Sequence, residues 1–126
     1  GSIVEKEAAK DEDRPIIAGV FYNRLAKGMP LQSCATIQYI LGKPKAVLYD
    51  QDLEIESPYN TYKYAGLPPG PISNPGHASL VAALYPAQTK YLYFLAKSDG
   101  YHVFAETYEQ HLRNQQLYQN PETLAK

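Results

Sequence analysis

Apolar residues recur at helical spacing in several stretches of the chain and at strand spacing in one region. The first stretch opens with Ile3 and Val4, and residues 3–10 are rich in good helix formers. The next, "RPIIAGVFYNRLAKG", places Ile16, Ile17, Val20, Phe21 and Leu25 on one helical face. Asp13 is placed to cap that helix, Pro15 suits its first turn, and Gly28 supplies the stop. In "MPLQSCATIQYILGKPK", Pro30 favours an extended start, and residues 36–41 predict a short helix ended by Gly42 to Pro44. A helix is expected over 77–85, closed by Pro86, and a last one over 107–118 carrying Tyr108, His111, Leu112 and Leu117. Between these two, residues 91–96 and 101–105 read as the strands of a β-hairpin turning at Ser98, Asp99 and Gly100. The tail after Asn120 is expected to fray.

One long stretch has neither period. Residues 49–76, "YDQDLEIESPYNTYKYAGLPPGPISNPG", combine turn residues with Tyr, Leu and Ile. Their prolines reduce the freedom of the unfolded chain, so a long loop here can hold one shape. The expected fold is therefore α+β: helices packed with a β-hairpin and a long Pro/Gly-rich ordered loop, in a single domain over 1–126.

Composition narrows the function classes. With 126 residues, 20% charged and a net charge of −1, the chain suits one globular domain without the basic surface of a phosphate-tracking nucleic-acid binder. Its 12 tyrosines against no tryptophan offer rings with polar tips, suited to sugar clefts and to half-wet surfaces generally. No apolar run reaches the roughly 20 residues of a spanning helix. The entry straight into a helical pattern at Ile3 leads us to expect a piece of a longer protein.

Little metal or nucleophile chemistry is expected. His77, His102 and His111 lack zinc-ligand spacing, so neither a metal nor another cofactor is anticipated. His102 is expected to make a local hydrogen bond and His111 to have a structural role. Cys34, the one cysteine, reads as a buried and inert thiol. The carboxylates of "SIVEKE" remain. Helix residues turn by about 100° each, so Glu5 and Glu7 point to nearly opposite faces and cannot form a close acid/base pair. Glu7 follows Ile3 by four positions and Val4 by three, on the apolar side. Partial desolvation there would raise its pKa and keep it protonated near neutrality, as a general acid needs. Glu5 reads as a supporting or solvated group. The helix alone leaves open whether Glu7 is a working acid or an ordinary helix glutamate.

Seven phrases in order add to this reading: "SIVEKE", "FYNRL", "MPLQSCATIQY", "SPYNTY", "GLPPGPISNPG", "AALYPAQTKYLYFLA" and "HVF" with a later His. Together they resemble the YceG-like (MltG) family of endolytic murein transglycosylases, over nearly the whole chain. The resemblance implies a lyase that cuts the β-1,4 bond after N-acetylmuramic acid in peptidoglycan glycan strands and leaves 1,6-anhydro ends. It places the catalytic glutamate in the E-x-E of the opening helix, matched here to Glu7, with Glu5 as the other choice. Gln32, Ser33, Asn60, Thr61, Tyr62 and Asn74, polar residues within the shared phrases, become the candidates for holding sugar hydroxyls and N-acetyl groups. Asn60 and Asn74, both beside turn residues, could equally hold their own turns. Arg24 could pair with a helix carboxylate.

The resemblance also implies an upstream membrane helix and a LysM-like region in the parent protein. The location would be the outer face of the bacterial cytoplasmic membrane, with peptidoglycan, and cell-wall synthesis proteins, as partners. No nucleic-acid partner is expected, nor membrane contact by this part itself. One departure is Cys34, where many of the family carry Asp; we expect that position to support its loop. The rival readings are a glycan-binding or interaction module without turnover, and a hydrolase of the same bond.

Overall fold

A computed structural model describes residues 1–42, 49–97 and 99–118. The expected end of a helix at Lys43 and Pro44, Ser98 in the hairpin turn, and the tail after Asn120 lie outside the described residues. Six α-helices and one antiparallel strand pair make up the described fold, so the chain is α+β as its pattern predicts. In order these are α1 (Ser2–Glu7), a 3-10 turn (Asp11–Asp13), α2 (Arg14–Ala26), α3 (Cys34–Leu41) and α4 (Asp50–Leu53). Then follow α5 (His77–Leu84), β1 (Tyr93–Ala96), β2 (His102–Ala105) and α6 (Tyr108–Tyr118). None of the described helices is long and apolar enough to cross a membrane.

Helix α2 is the centre. Its apolar face buries Ile17, Val20 and Phe21, and α1 and α5 pack against it with Ile3, Val4 and Ala82. Full burial of a side chain such as Ile17 contributes about 1.5–3 kcal/mol, so this face is what holds the helix in the core. Gly19 lets the segment after α5 approach closely: a Cβ there would sit 2.6 Å from the Ala87 carbonyl oxygen. The Ala87 N–H donates to the Pro15 carbonyl at 3.0 Å, and Asn23 Nδ2 donates to the Thr89 and Tyr91 carbonyls at 2.9 Å each. These bonds bind residues 87–91 to α2 and deliver β1 to the core, where Phe94 meets Phe21 edge to face. β1 and β2 pair in the register Tyr93 with Ala105 and Ala96 with His102. Helix α2 ends as expected, with Gly28 in the left-handed region at φ 70°.

The structure revises several boundaries. Helix α1 stops at Glu7 rather than continuing to Lys10, because Ala8 turns extended and is itself buried. Asp13 makes no side-chain cap on α2. Its carboxylate instead accepts from the His102 backbone N–H at 2.8 Å, with His102 Nδ1 at 3.3 Å. His102 is therefore bound across the fold, not locally. Helix α3 begins at Cys34, two residues earlier than expected. The stretch 49–76 contains α4, and the two strands are shorter than predicted. Thr107 sits before α6, accepting the Gln110 N–H on its Oγ1 at 3.2 Å.

Candidate functional site

The end of α1 and the start of α3 meet at one carboxyl group. Glu7 is the last residue of α1, and Ser33 stands where α3 begins. A serine at that position ordinarily turns its hydroxyl onto its own helix. Here it does not cap α3; Ser33 Oγ donates to Glu7 Oε1 at 3.2 Å. The Ala35 N–H, one of the donors left free by the first turn of α3, also bonds the Glu7 carboxyl. Two opposing influences act on this acid. Burial pushes its pKa above the ordinary carboxylate value, and the Ser33 and Ala35 donors pull it back. Burial is the larger.

Glu5, two residues earlier, is differently held. Its Oε1 accepts from the Gly76 N–H at 2.7 Å and from Ser79 Oγ at 2.9 Å. Arg14 Nη1 in turn donates to Ser79 Oγ at 3.0 Å. Those bonds, the Gly76 N–H first, keep the Glu5 carboxyl below its ordinary value. Glu5 joins α1 to the start of α5, with both donors on the carboxylate.

Glu7 lies where two clefts meet. One, of about 450 Å³, is lined by Lys6, Ala35, Gln38, Tyr39, Gly42 and Ile72. The other, of about 360 Å³, is lined by Arg24, Gln32, Tyr62, Tyr93, Tyr108 and His111, among others. Glu7 and Cys34 belong to both walls. A further hollow of about 350 Å³ on the Ile3 and Val4 side of α1 is mostly apolar and offers little to orient a polar ligand.

The second cleft has an aromatic wall with a cation set into it. The Arg24 guanidinium lies 5.1 Å from the centre of the Tyr93 ring, and His111 stacks on Tyr93 at 5.2 Å. Arg24 Nε donates to the Leu92 carbonyl at 2.7 Å and Nη1 to the Pro30 carbonyl at 2.8 Å. Among the described residues no carboxylate pairs with Arg24, so the expected ion pair with a helix carboxylate is not formed. Burial, helped by Arg24, lowers the His111 pKa and favours the neutral ring.

The polar candidates separate into three groups. Ser33 touches Glu7; Gln32 and Tyr62 line the same cleft. Gln32 is held at φ 52°, uncommon for a residue with a side chain, its N–H donating to the Thr61 carbonyl at 3.1 Å. Asn60 and Thr61 are buried and committed internally. Asn60 Nδ2 donates to the Leu53 and Ile55 carbonyls at 3.0 and 2.7 Å, and its Oδ1 accepts the Tyr62 N–H at 2.9 Å. Thr61 Oγ1 accepts the Ser33 N–H at 2.9 Å and lies 2.9 Å from Thr36 Oγ1. Both act on the cleft by fixing Ser33 and Tyr62. Asn74 is exposed and lines neither cleft at Glu7.

Cys34 is not the buried thiol its composition class predicts. The residue is exposed in the cleft wall, with Sγ 3.0 Å from Tyr62 Oη. Partial desolvation first, and the nearby Glu7, push the thiol pKa up, so it stays protonated and poorly nucleophilic. Among the described residues no group of His, Cys, Asp and Glu could hold a metal ion. No local pattern in the sequence assigns Tyr93, Tyr108 and His111 to the cleft. Their signal was the three-residue spacing of Tyr108 and His111 on α6, which reads equally as core packing.

A family model described as the YceG-like family matches residues 1–117. The chain is 54% identical over 117 residues to an endolytic murein transglycosylase of Bacillus subtilis (strain 168), covering 93% of this chain and 32% of that protein. It is 44% identical over 119 residues to one from Streptococcus pneumoniae serotype 2, covering 90% of this chain and 22% of that protein. The fold matches a crystal structure of a yceG-like protein from Listeria monocytogenes with a TM-score of 0.85 and 56% identity, over 89% of this chain and 37% of that one. The chain thus spans a third or less of the length of the curated relatives it matches.

Proposed function

The chain belongs to the YceG-like family, and on that premise we propose that it is the acid-bearing part of an endolytic murein transglycosylase. Its substrate is the glycan strand of peptidoglycan, and it works outside the cytoplasmic membrane, where that polymer lies. The observation that carries this reading is the position of Glu7: a desolvated carboxyl at the junction of two clefts. A continuous strand could run through both clefts, with the scissile bond at the junction. That suits cleavage within a chain rather than from its end.

One carboxyl can perform both halves of the reaction. Protonated Glu7 gives its proton to the glycosidic oxygen as the bond from the muramoyl C1 breaks, through an oxocarbenium-like transition state. The carboxylate left behind accepts bonds from Ser33 Oγ and the Ala35 N–H at the start of α3, groups that favour negative charge. It then takes the proton of the muramoyl C6 hydroxyl, whose oxygen bonds to C1 of the same sugar. Proton count and charge return to the start, and no water is consumed. Glu5, held by Gly76 and Ser79, is left to support α1.

Digestion of purified glycan strands in heavy-oxygen water tests the reaction type. Intramolecular closure puts no label into the new muramoyl ends, and their mass is lower by one water. Labelled reducing ends would make the protein a hydrolase. Binding without cleavage would make it a glycan-recognition module.

A further inference from the structure

Arg24 is the feature of the cleft that the acid chemistry leaves unused. It is a buried cation, 7% exposed, and the three acceptors it reaches among the described residues are neutral: the carbonyls of Leu92 and Pro30 and the Gln32 side-chain oxygen. Its Nη2 donates to no group among the described residues. The Tyr93 ring centre lies 5.1 Å from the guanidinium and His111 stacks on Tyr93, while the Nε and Nη1 bonds fix the fork in the cleft wall. A guanidinium kept in a cleft wall without a carboxylate is a costly arrangement unless something else supplies acceptors. Lys6 in the other cleft is different, being exposed at the end of α1 and solvated.

We propose that Arg24 is a specificity residue that reads the lactyl acyl group of the muramoyl sugar, its Nη2 donating to an acyl oxygen. This rests on the glycan reading of the same site. Of the two alternating sugars, only the muramoyl residue carries an acyl group at O3, either free as a carboxylate or joined to a peptide. Both forms offer the oxygen that Arg24 lacks. The assignment also orients the strand. The Arg24 and Tyr93 cleft takes the muramoyl sugar whose C1 is attacked, and the Gln38 and Tyr39 cleft takes the sugar that leaves.

Binding to the full-length protein carrying Glu7→Gln, which holds substrate without turning it over, provides the test. A tetrasaccharide of alternating N-acetylglucosamine and N-acetylmuramic acid should bind about tenfold more tightly than the chitin tetrasaccharide, as one charge-assisted hydrogen bond allows. Arg24→Lys keeps the charge but not the fork, and should reduce that preference to within about twofold in a chain shown to be folded. An undiminished preference overturns the assignment. If Arg24→Lys does not fold, the substrate decides. Reducing the lactyl carboxyl to an alcohol should weaken binding to the parent site by about tenfold, and equal binding overturns the proposal. Anhydro products formed without preference for the lactyl group would remove Arg24's role and leave the transglycosylase reading intact. Absence of both binding and cleavage would overturn the two together.

Discussion

Ser33 Oγ donates to Glu7 Oε1 at 3.2 Å, so the residue just before α3 spends its hydroxyl on the carboxyl that ends α1. The bond favours the charged form of Glu7 and opposes the effect of burial. Ser33→Ala should therefore raise the Glu7 pKa further. If Glu7 acts as proposed, the alkaline limb of the activity profile follows loss of its proton and should move to higher pH, by about half a unit to one unit. A limb that moves down would contradict this geometry.

Stability should record the two glutamates with opposite signs. Folding raises the Glu7 pKa above 4.5, so between the unfolded and folded values the folded chain binds more protons. Stability from this group therefore falls as pH rises through that window. Folding lowers the Glu5 pKa below 4.5, so its contribution is complete above that value and lost as pH falls through the folded one. Thermal melts of Glu7→Gln should flatten the decline above about pH 4.5, whereas Glu5→Gln should remove part of the acid-side loss. A parent chain whose stability rises steadily from there to neutrality, with Glu7→Gln unchanged, would count against a desolvated Glu7.

Gln32 sets local strain against function. At φ 52° a side chain costs about 1 kcal/mol relative to glycine. Gln32→Gly should therefore be neutral or slightly stabilising in denaturant unfolding, while glycan turnover falls because a cleft-lining side chain is gone. Lower stability with full activity would reverse both halves of that account.

Gly19 opposes helix propensity. Alanine in mid-helix is favoured over glycine by about 1 kcal/mol, but its Cβ would meet the Ala87 carbonyl oxygen at 2.6 Å. Forcing α2 away from residues 87–91 costs about 1–3 kcal/mol, so Gly19→Ala should be net destabilising in calorimetry.

Legibility in the sequence followed the range of the forces. Helix α2 was readable because Ile17, Val20 and Phe21 repeat at the period of the helix they form. The hairpin followed from its turn residues and alternation. The end of α1 was not readable, since Ala8 leaves the helix to meet partners from elsewhere in the fold. Asp13 looked like a cap until His102, 89 positions away, claimed its carboxylate. At the site, the spacing of Glu7 to Ile3 and Val4 predicts the desolvation that raises its pKa, but not the two clefts it lines, which Ile3 and Val4 do not share. The cleft wall of Arg24, Tyr93 and His111 could not be read, because it is assembled from three elements whose meeting no local pattern records.

The most direct test of the account compares Glu7→Gln with Glu5→Gln in one experiment: mass spectrometry of glycan ends after digestion by the full-length protein. Glu7→Gln should lower the yield of muramoyl ends lighter by one water by a factor of about a hundred or more, with the fold intact. Glu5→Gln should still produce them, from a less stable protein. Anhydro ends persisting in Glu7→Gln and vanishing in a folded Glu5→Gln would show that the acid is the other glutamate.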